Sequence, residues 1–286
     1  AIPRGGGRLM PALDRMNDPL HISFFHANGY PSGVYRQFFD ALSKAADVAA
    51  PALLDAALEC SPEQRWPAMR DQALAHLRSE ARQRGSARRA LVGHSMGGYL
   101  ALQVAAAEPA SVAAVVLLDS PIPLGWRSGA LSLAQATGLH YRTGPAPIAA
   151  RRRDRWPSRA AAREFFAGKA FVKRWAPGVL DDFIAHALID TPEGEVTLRV
   201  PRDAERDIYA NIVHRSAQRA LREATRAGVP VHFIAGTESE ETRMAGWSAN
   251  RKLFGERFVT LPTGHLIPLE APADCAALAL DRLRSH

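Results

Sequence analysis

The sequence predicts an α/β fold: a mostly parallel central sheet with helices on both faces and a mainly helical insertion. Three observations predict it. Short apolar runs alternate with stretches of helical period over residues 1–121, and the same alternation returns over residues 226–286. Residues 122–225 break the pattern, being mostly helical and richer in arginine, tryptophan and proline. Strands that alternate with helices pair in parallel, because parallel neighbours need a crossover and a helix is the usual one. The expected organisation is a core of residues 1–121 and 226–286 with a cap inserted at 122–225.

Each element has its own reason. "LHISFFH" (Leu20 to His26) is a short apolar run that reads as a buried strand, and "ADVAA" (Ala46 to Ala50) is a weaker strand candidate. "WPAMRDQALAHLRSEARQRG" places Trp66, Met69, Ala73, Leu77 and Ala81 at helical spacing, with Pro67 near its start and Gly85 past its end. The run Ala90 to Val92 predicts a strand, followed by a helix from "SMGGYLAL". "SVAAVVLLDS" is a valine-rich β-branched run ending in Asp119 and reads as a strand buried on both faces. In the last part, "VPVHFIAG" and "RFVTLP" are strands, "WSANRKLFG" a short helix, and "PADCAALALDRLR" a closing helix begun by Pro272. Inside the insertion, "TPEGEVTLRVP" reads as a turn and a short strand.

Composition narrows the function classes. Hydrophobic residues make up 47% of 286 residues, enough for a sizeable core. The two cysteines, Cys60 and Cys275, are too few for a disulfide framework and point to a reducing, cytoplasmic setting. "AIPRGGGRLMPALDR" at the start has no apolar signal-peptide core, and no run approaches a membrane span, so no membrane partner is expected. The net charge of +7 comes from interspersed arginines without aromatic ladders or zinc spacing, so no nucleic-acid partner is expected either. No HExxH, CxxC or dinucleotide fingerprint occurs, and no cofactor or metal is expected. A small-molecule substrate is the expected partner, with monomer and homodimer both open.

"GHSMG" (Gly93 to Gly97) fits the G-x-S-x-G elbow, with a strand before it and a helix after it. Such a turn lifts the hydroxyl of Ser95 clear of the sheet, at a helix N-terminus that favours negative charge. A reactive serine needs a base. Of the ten histidines, His265 stands in a loop marked by Gly264 and Pro268, after a predicted strand and before the last helix. Strand-end loops are where parallel sheets place their chemistry. His94, inside the elbow, is expected to pack or to bond backbone.

"FFHANGYPSG", "GHSMGG" and "GHLIPLE", in this order, resemble the α/β-hydrolase superfamily. The resemblance spans about two thirds of the chain. It implies an eight-stranded, mostly parallel sheet, a helical cap and a Ser-His-acid triad with Ser95 and His265 as nucleophile and base. It further implies an oxyanion hole built from the amide of Met96 and one amide of the HANGYP loop. Aligned on His-Gly-x that second amide is Asn28; aligned on the second glycine it is Tyr30.

The acid departs from the superfamily's commonest pattern, an aspartate after the penultimate strand. "AGTESEETR" stands there without one. Glu240, 25 residues before His265, is one candidate, and Ser239 in the neighbouring slot cannot be a carboxylate. The other is Asp119, at the end of the strand after the elbow helix, where some relatives carry their triad acid. Glu238 and Glu241 read as solvated loop charges. Trp126, Trp156, Phe165, Phe166, Trp175 and Tyr209 are candidate pocket walls, most of them expected to form the core of the cap.

The leading expectation is a serine hydrolase of a small carboxylic ester, thioester or lactone, acting through an acyl-enzyme. A carbon–carbon bond hydrolase or a cofactor-free perhydrolase could use the same triad. A non-catalytic ligand-binding relative is the third reading, and a retained serine, base and oxyanion loop weigh against it.

Overall fold

A computed structural model describes residues 20–84 and 88–285. Gly85 and the N-terminal stretch read above lie outside the described residues. The first half of the chain runs β1 (Leu20–Phe25), α1 (Arg36–Leu42), β2 (Ala46–Ala49), α2 (Arg65–Arg84), β3 (Arg89–His94), α3 (Met96–Ala107) and β4 (Val112–Leu118). Then come α4 (Gly125–Ala136), α5 (Ala146–Arg151), β5 (Arg155–Trp156), α6 (Arg159–Ala167), α7 (Val179–His186), β6 (Leu188–Asp190), β7 (Val196–Leu198), α8 (Arg202–Ala210) and α9 (His214–Arg226). The chain closes with β8 (Val231–Gly236), α10 (Glu240–Phe254), β9 (Phe258–Leu261), α11 (Ile267–Glu270) and α12 (Pro272–Arg284).

Six strands pair in the order β2-β1-β3-β4-β8-β9, every pair parallel. The resemblance implied eight strands; six form among the described residues. The apolar runs explain the layering, because successive residues of a strand face opposite sides. Phe24, Val92 and Val116 face a core shared with α1, α12 and part of the insertion. Phe25, Leu91, Val115 and Phe233 face a second core shared with α2, α3 and α9. Each fully buried leucine, valine or phenylalanine contributes about 1.5–3 kcal/mol.

The insertion holds a small antiparallel sheet, β5-β7-β6, whose β6–β7 hairpin is the expected turn and strand. Trp156, Phe165, Phe166, Trp175 and Phe183 pack ring against ring beneath it. α9 packs against α3, burying Ala217, Ala220, Leu221 and Ala224 in the sheet's second core. That helix is therefore part of the layer over the sheet, and the expected boundary at residue 225 falls inside it. The short helix expected at "WSANRKLFG" is the second half of α10, which starts at Glu240 and kinks at Gly246.

Candidate active site

The carboxyl ends of β1, β3, β4, β8 and β9 face one side of the sheet, and their loops meet there. Ser95 connects β3 to α3 in a strained conformation, φ 52° and ψ −113°. The chain passes so close that side chains are excluded on both sides of it. A Cβ on Gly93 would lie 2.3 Å from the carbonyl oxygen of Gly97, and one on Gly97 would lie 1.9 Å from that of Phe25. This is the physical content of the glycine–serine–glycine pattern.

Ser95 Oγ donates to His265 Nε2 at 3.0 Å, and His265 Nδ1 donates to Asp119 Oδ2 at 2.6 Å. An alcohol, an imidazole and a carboxylate bonded in series let the imidazole take the alcohol proton while the carboxylate holds the tautomer. Asp119 is fully buried and also has a positive φ, 43°. Its oxygens accept from the Gly236 amide at 3.0 Å, Ser239 Oγ at 2.5 Å and Thr242 Oγ1 at 2.9 Å. Four donors on one carboxylate hold its charge without water.

Of the two candidate acids, the structure brings Asp119 to the imidazole. Glu240 is exposed on the first turn of α10 and forms no ion pair or hydrogen bond with His265. The reason is direction: Ser239 caps α10 through the Thr242 amide, and this turns Glu240 outward while Ser239 itself supports Asp119. Glu241, read as a solvated charge, has an oxygen 3.8 Å from His265 Nδ1.

The electrostatics follow. Burial lowers the pKa of His265, but the hydrogen bond and charge of Asp119, with Glu241 and Glu270 behind, outweigh it and leave a net rise. His94 bonds backbone as expected: its Nε2 donates to the His265 carbonyl at 3.0 Å. Its Nδ1 accepts from the Tyr35 hydroxyl at 2.8 Å, and that hydroxyl accepts from the Ala27 amide at 3.1 Å. Burial pushes His94 down to about 3, so it stays neutral, as this tautomer needs. One relay thereby ties the loops after β1, β3 and β9 together. His26 pins the first of them, donating to the Ala27 carbonyl and accepting from the Leu54 amide; burial lowers it to about 4. Glu270, the last residue of "GHLIPLE", accepts from the Gly264 amide and pairs with Arg174 of the insertion, both at 2.8 Å. Sequence reasoning missed His26 and Glu270 as pins, because their partners Leu54 and Arg174 lie far away in the chain; their place in "FFHANGYPSG" and "GHLIPLE" was the only signal.

Met96 is the first residue of α3, and the first amides of a helix have no carbonyl one turn back. In the HANGYP loop the Tyr30 amide donates to the Ala27 carbonyl at 3.1 Å, so it is already committed. Tyr30 is thus withdrawn as a donor. The Asn28 amide has no such bond among the described residues, and its side chain donates to the Glu205 carbonyl of α8 at 3.0 Å.

Ser95 opens onto a cavity of about 560 Å³ that α4, α5, α8 and α10 enclose over the strand ends. Of the six aromatic wall candidates only Tyr209 lines it; Trp66 and Tyr99 of the sheet layers, which sequence reasoning missed, line it as well. Trp126 is 73% exposed and the other four lie within the insertion, three of them fully buried. Asp119, Glu241 and His265 together offer three ligand-type atoms within 4.8 Å. The hydrogen bond between Asp119 and His265 uses two of the atoms a metal would need. Among the described residues no helix is long and apolar enough to cross a membrane.

A sequence model of the alpha/beta hydrolase family matches residues 24–278. No curated protein matches the chain closely enough to count as a relative. The fold is similar to the thioesterase domain from the curacin biosynthetic pathway, at TM-score 0.67 and 18% identity over 92% of both chains. It is similar to E-2-(acetamidomethylene)succinate hydrolase, at TM-score 0.68 and 17% identity over 93% of this chain and 92% of the other. An esterase of M. tuberculosis superposes at TM-score 0.60 and 16% identity over 93% and 86%.

Proposed function

The chain belongs to the alpha/beta hydrolase family, and on that premise we propose that it is a serine hydrolase of carboxylic esters, thioesters or lactones. The observation that carries the reading is the series Ser95–His265–Asp119, bonded at 3.0 and 2.6 Å, at the floor of an apolar cavity. Ser95 Oγ attacks the acyl carbon as its proton passes to His265. The amides of Met96 and Asn28 receive the oxyanion, where pre-aimed donors stabilise developing charge best. His265 then protonates the departing alcohol or thiol, and the acyl–oxygen or acyl–sulfur bond breaks. Water gives a proton to His265 and attacks the acyl carbon; His265 returns that proton to Ser95 Oγ as the acyl–Oγ bond breaks and the acid leaves.

In this reading the residues from 122 to the start of α9 act as the cap. The partner in this reading is a small-molecule substrate. The arginines serve within the chain, as the pairs of Arg36, Arg65, Arg159, Arg163 and Arg206 with carboxylates suggest. Cys60 and Cys275 are both free thiols, which suits the cytoplasm.

The test is labelling with a fluorophosphonate, read by mass spectrometry. The label is expected on Ser95 of the folded protein. Folded protein that takes no label sinks the reading.

A further inference from the structure

Two cavities meet at Ser95. The wider, of about 560 Å³, is walled mainly by carbon: Trp66, Met96, Tyr99, Leu131, Ile148 and Ile212. The narrower, of about 150 Å³, is bounded by Ala27, Tyr30, Phe171 and Leu266. Asn28, Ser95, His265 and Tyr209 border both. Three of these belong to the machinery proposed above. The fourth, Tyr209, is the divider.

Tyr209 is held where it stands. It lies on α8, which is tied down over the turn that precedes it. The Glu205 carbonyl accepts from Asn28 Nδ2, the Glu205 carboxylate pairs with Arg152 at 2.5 Å, and the Ile208 carbonyl accepts from Trp66 Nε1 at 3.0 Å. Its hydroxyl has no hydrogen-bond partner among the described residues. Burial, with the nearby charge of Glu205, raises its pKa well above the ordinary value, so it stays protonated beside the two cavities.

We propose that the site takes esters of a long apolar acid with a short alcohol, the acyl chain lying in the wide cavity and the leaving group in the narrow one, with Tyr209 as the wall that separates them. The assignment rests on the hydrolase reading. Size supports it: the narrow cavity has little more than a quarter of the volume of the wide one, about 150 against 560 Å³, so the longer chain has its room in the wide cavity. Direction supports it too. The leaving oxygen must take its proton from His265, and the narrow cavity is bounded by the neighbouring Leu266. The wide cavity runs over Met96 and Tyr99, along the helix whose first amide meets the oxyanion. Chemistry completes the case. When the acyl–oxygen bond breaks, the protonated alcohol leaves the narrow cavity and water replaces it there, beside Asn28, His265 and the Tyr209 hydroxyl. The acyl chain stays in the dry cavity until water attacks the acyl carbon.

Methyl nonanoate and octyl acetate test this, because they are isomers that differ in which side of the ester is long. Acid release is followed by titration, with fluorophosphonate labelling of the same preparation. Wild type is expected to favour methyl nonanoate by tenfold or more in kcat/KM, on the order of one discriminating contact. Tyr209→Ala removes the divider and Phe171→Ala opens the narrow cavity from its far side. Each, checked as folded by thermal melting, is expected to cut that preference about tenfold by improving octyl acetate. Tyr209→Phe keeps the ring and is expected to keep the preference. Equal rates, a preference for octyl acetate, or hydrolysis of neither isomer by protein labelled at Ser95 overturns the assignment and leaves the hydrolase reading standing. So does a preference that neither alanine variant changes. Protein that takes no label removes the hydrolase reading, and the assignment with it.

Discussion

The strand-end loops and the segment above them differ in how much their surroundings dictate. In the loops every reactive atom is over-determined. Asp119 has four donors, His94 bridges three loops, and both Ser95 and Asp119 hold positive φ that only dense packing sustains. The segment after β4 leaves Trp126 and Ile148 each 73% exposed, and Gly125, Gly129, Gly138 and Gly144 have open space where a side chain would go. Around the Ser95–His265–Asp119 series a shift of half an ångström is forbidden, whereas in the segment after β4 side chains can be exchanged at little cost.

The largest effect expected on the first side of this contrast is chemical. Asp119→Asn should lower kcat/KM on a 4-nitrophenyl ester by roughly 10³–10⁴-fold, because the imidazole loses its tautomer and its counter-charge. Glu240→Gln, exposed on α10, should stay within about twofold. A large loss in the second variant and none in the first would reverse the assignment of the acid.

Next is packing. Gly97→Ala would put a methyl 1.9 Å from a backbone oxygen that has nowhere to go. It should cost about 3 kcal/mol or more in denaturant unfolding, and activity with it.

The third effect is the pH response, where the two kinds of buried histidine act in opposite senses. His265 must be neutral to act as base, and its pKa is raised. So kcat/KM should rise with pH through a midpoint above 6.5. Glu241→Gln should move that midpoint down, since Glu241 helps to raise it. His26 and His94 have depressed values, about 4 and about 3, against 6.5 for the free side chain. Below about pH 6.5 the unfolded chain binds protons that the folded one refuses. Stability should therefore fall as pH drops from 6.5 towards 4, by up to about 1.4 kcal/mol per pH unit for each residue. A flat stability curve there would mean that these two rings are charged in the fold.

The smallest effect belongs to the overlying segment. Gly129 lies inside α4 on ordinary helical backbone, with nothing within 4 Å of the place a Cβ would take. Gly129→Ala should raise stability by about 0.5–1 kcal/mol, measured in the same denaturant titration, in sharp contrast with Gly97→Ala.

What the sequence could determine was whatever depends on neighbours in the chain. Apolar runs set the strands, because a segment buried on both faces has no polar positions to spare. Gly93 and Gly97 marked Ser95, because the turn that exposes a serine there excludes a side chain at the second residue on either side of it. His265 was legible from Gly264 and Pro268 for the same local reason. The choice of Asp119 over Glu240 was not. It depends on β4 lying beside β8, so that Gly236, Ser239 and Thr242 surround a carboxylate more than a hundred positions earlier in the chain. Nor was the backbone bond that commits the Tyr30 amide to the Ala27 carbonyl. The links of His94 to Tyr35, Glu270 to Arg174 and α8 to Asn28 likewise join residues that only the folded chain brings together. Tertiary structure alone decides such pairs, because a hydrogen bond depends on distance and direction in space, and neither is written in the order of residues.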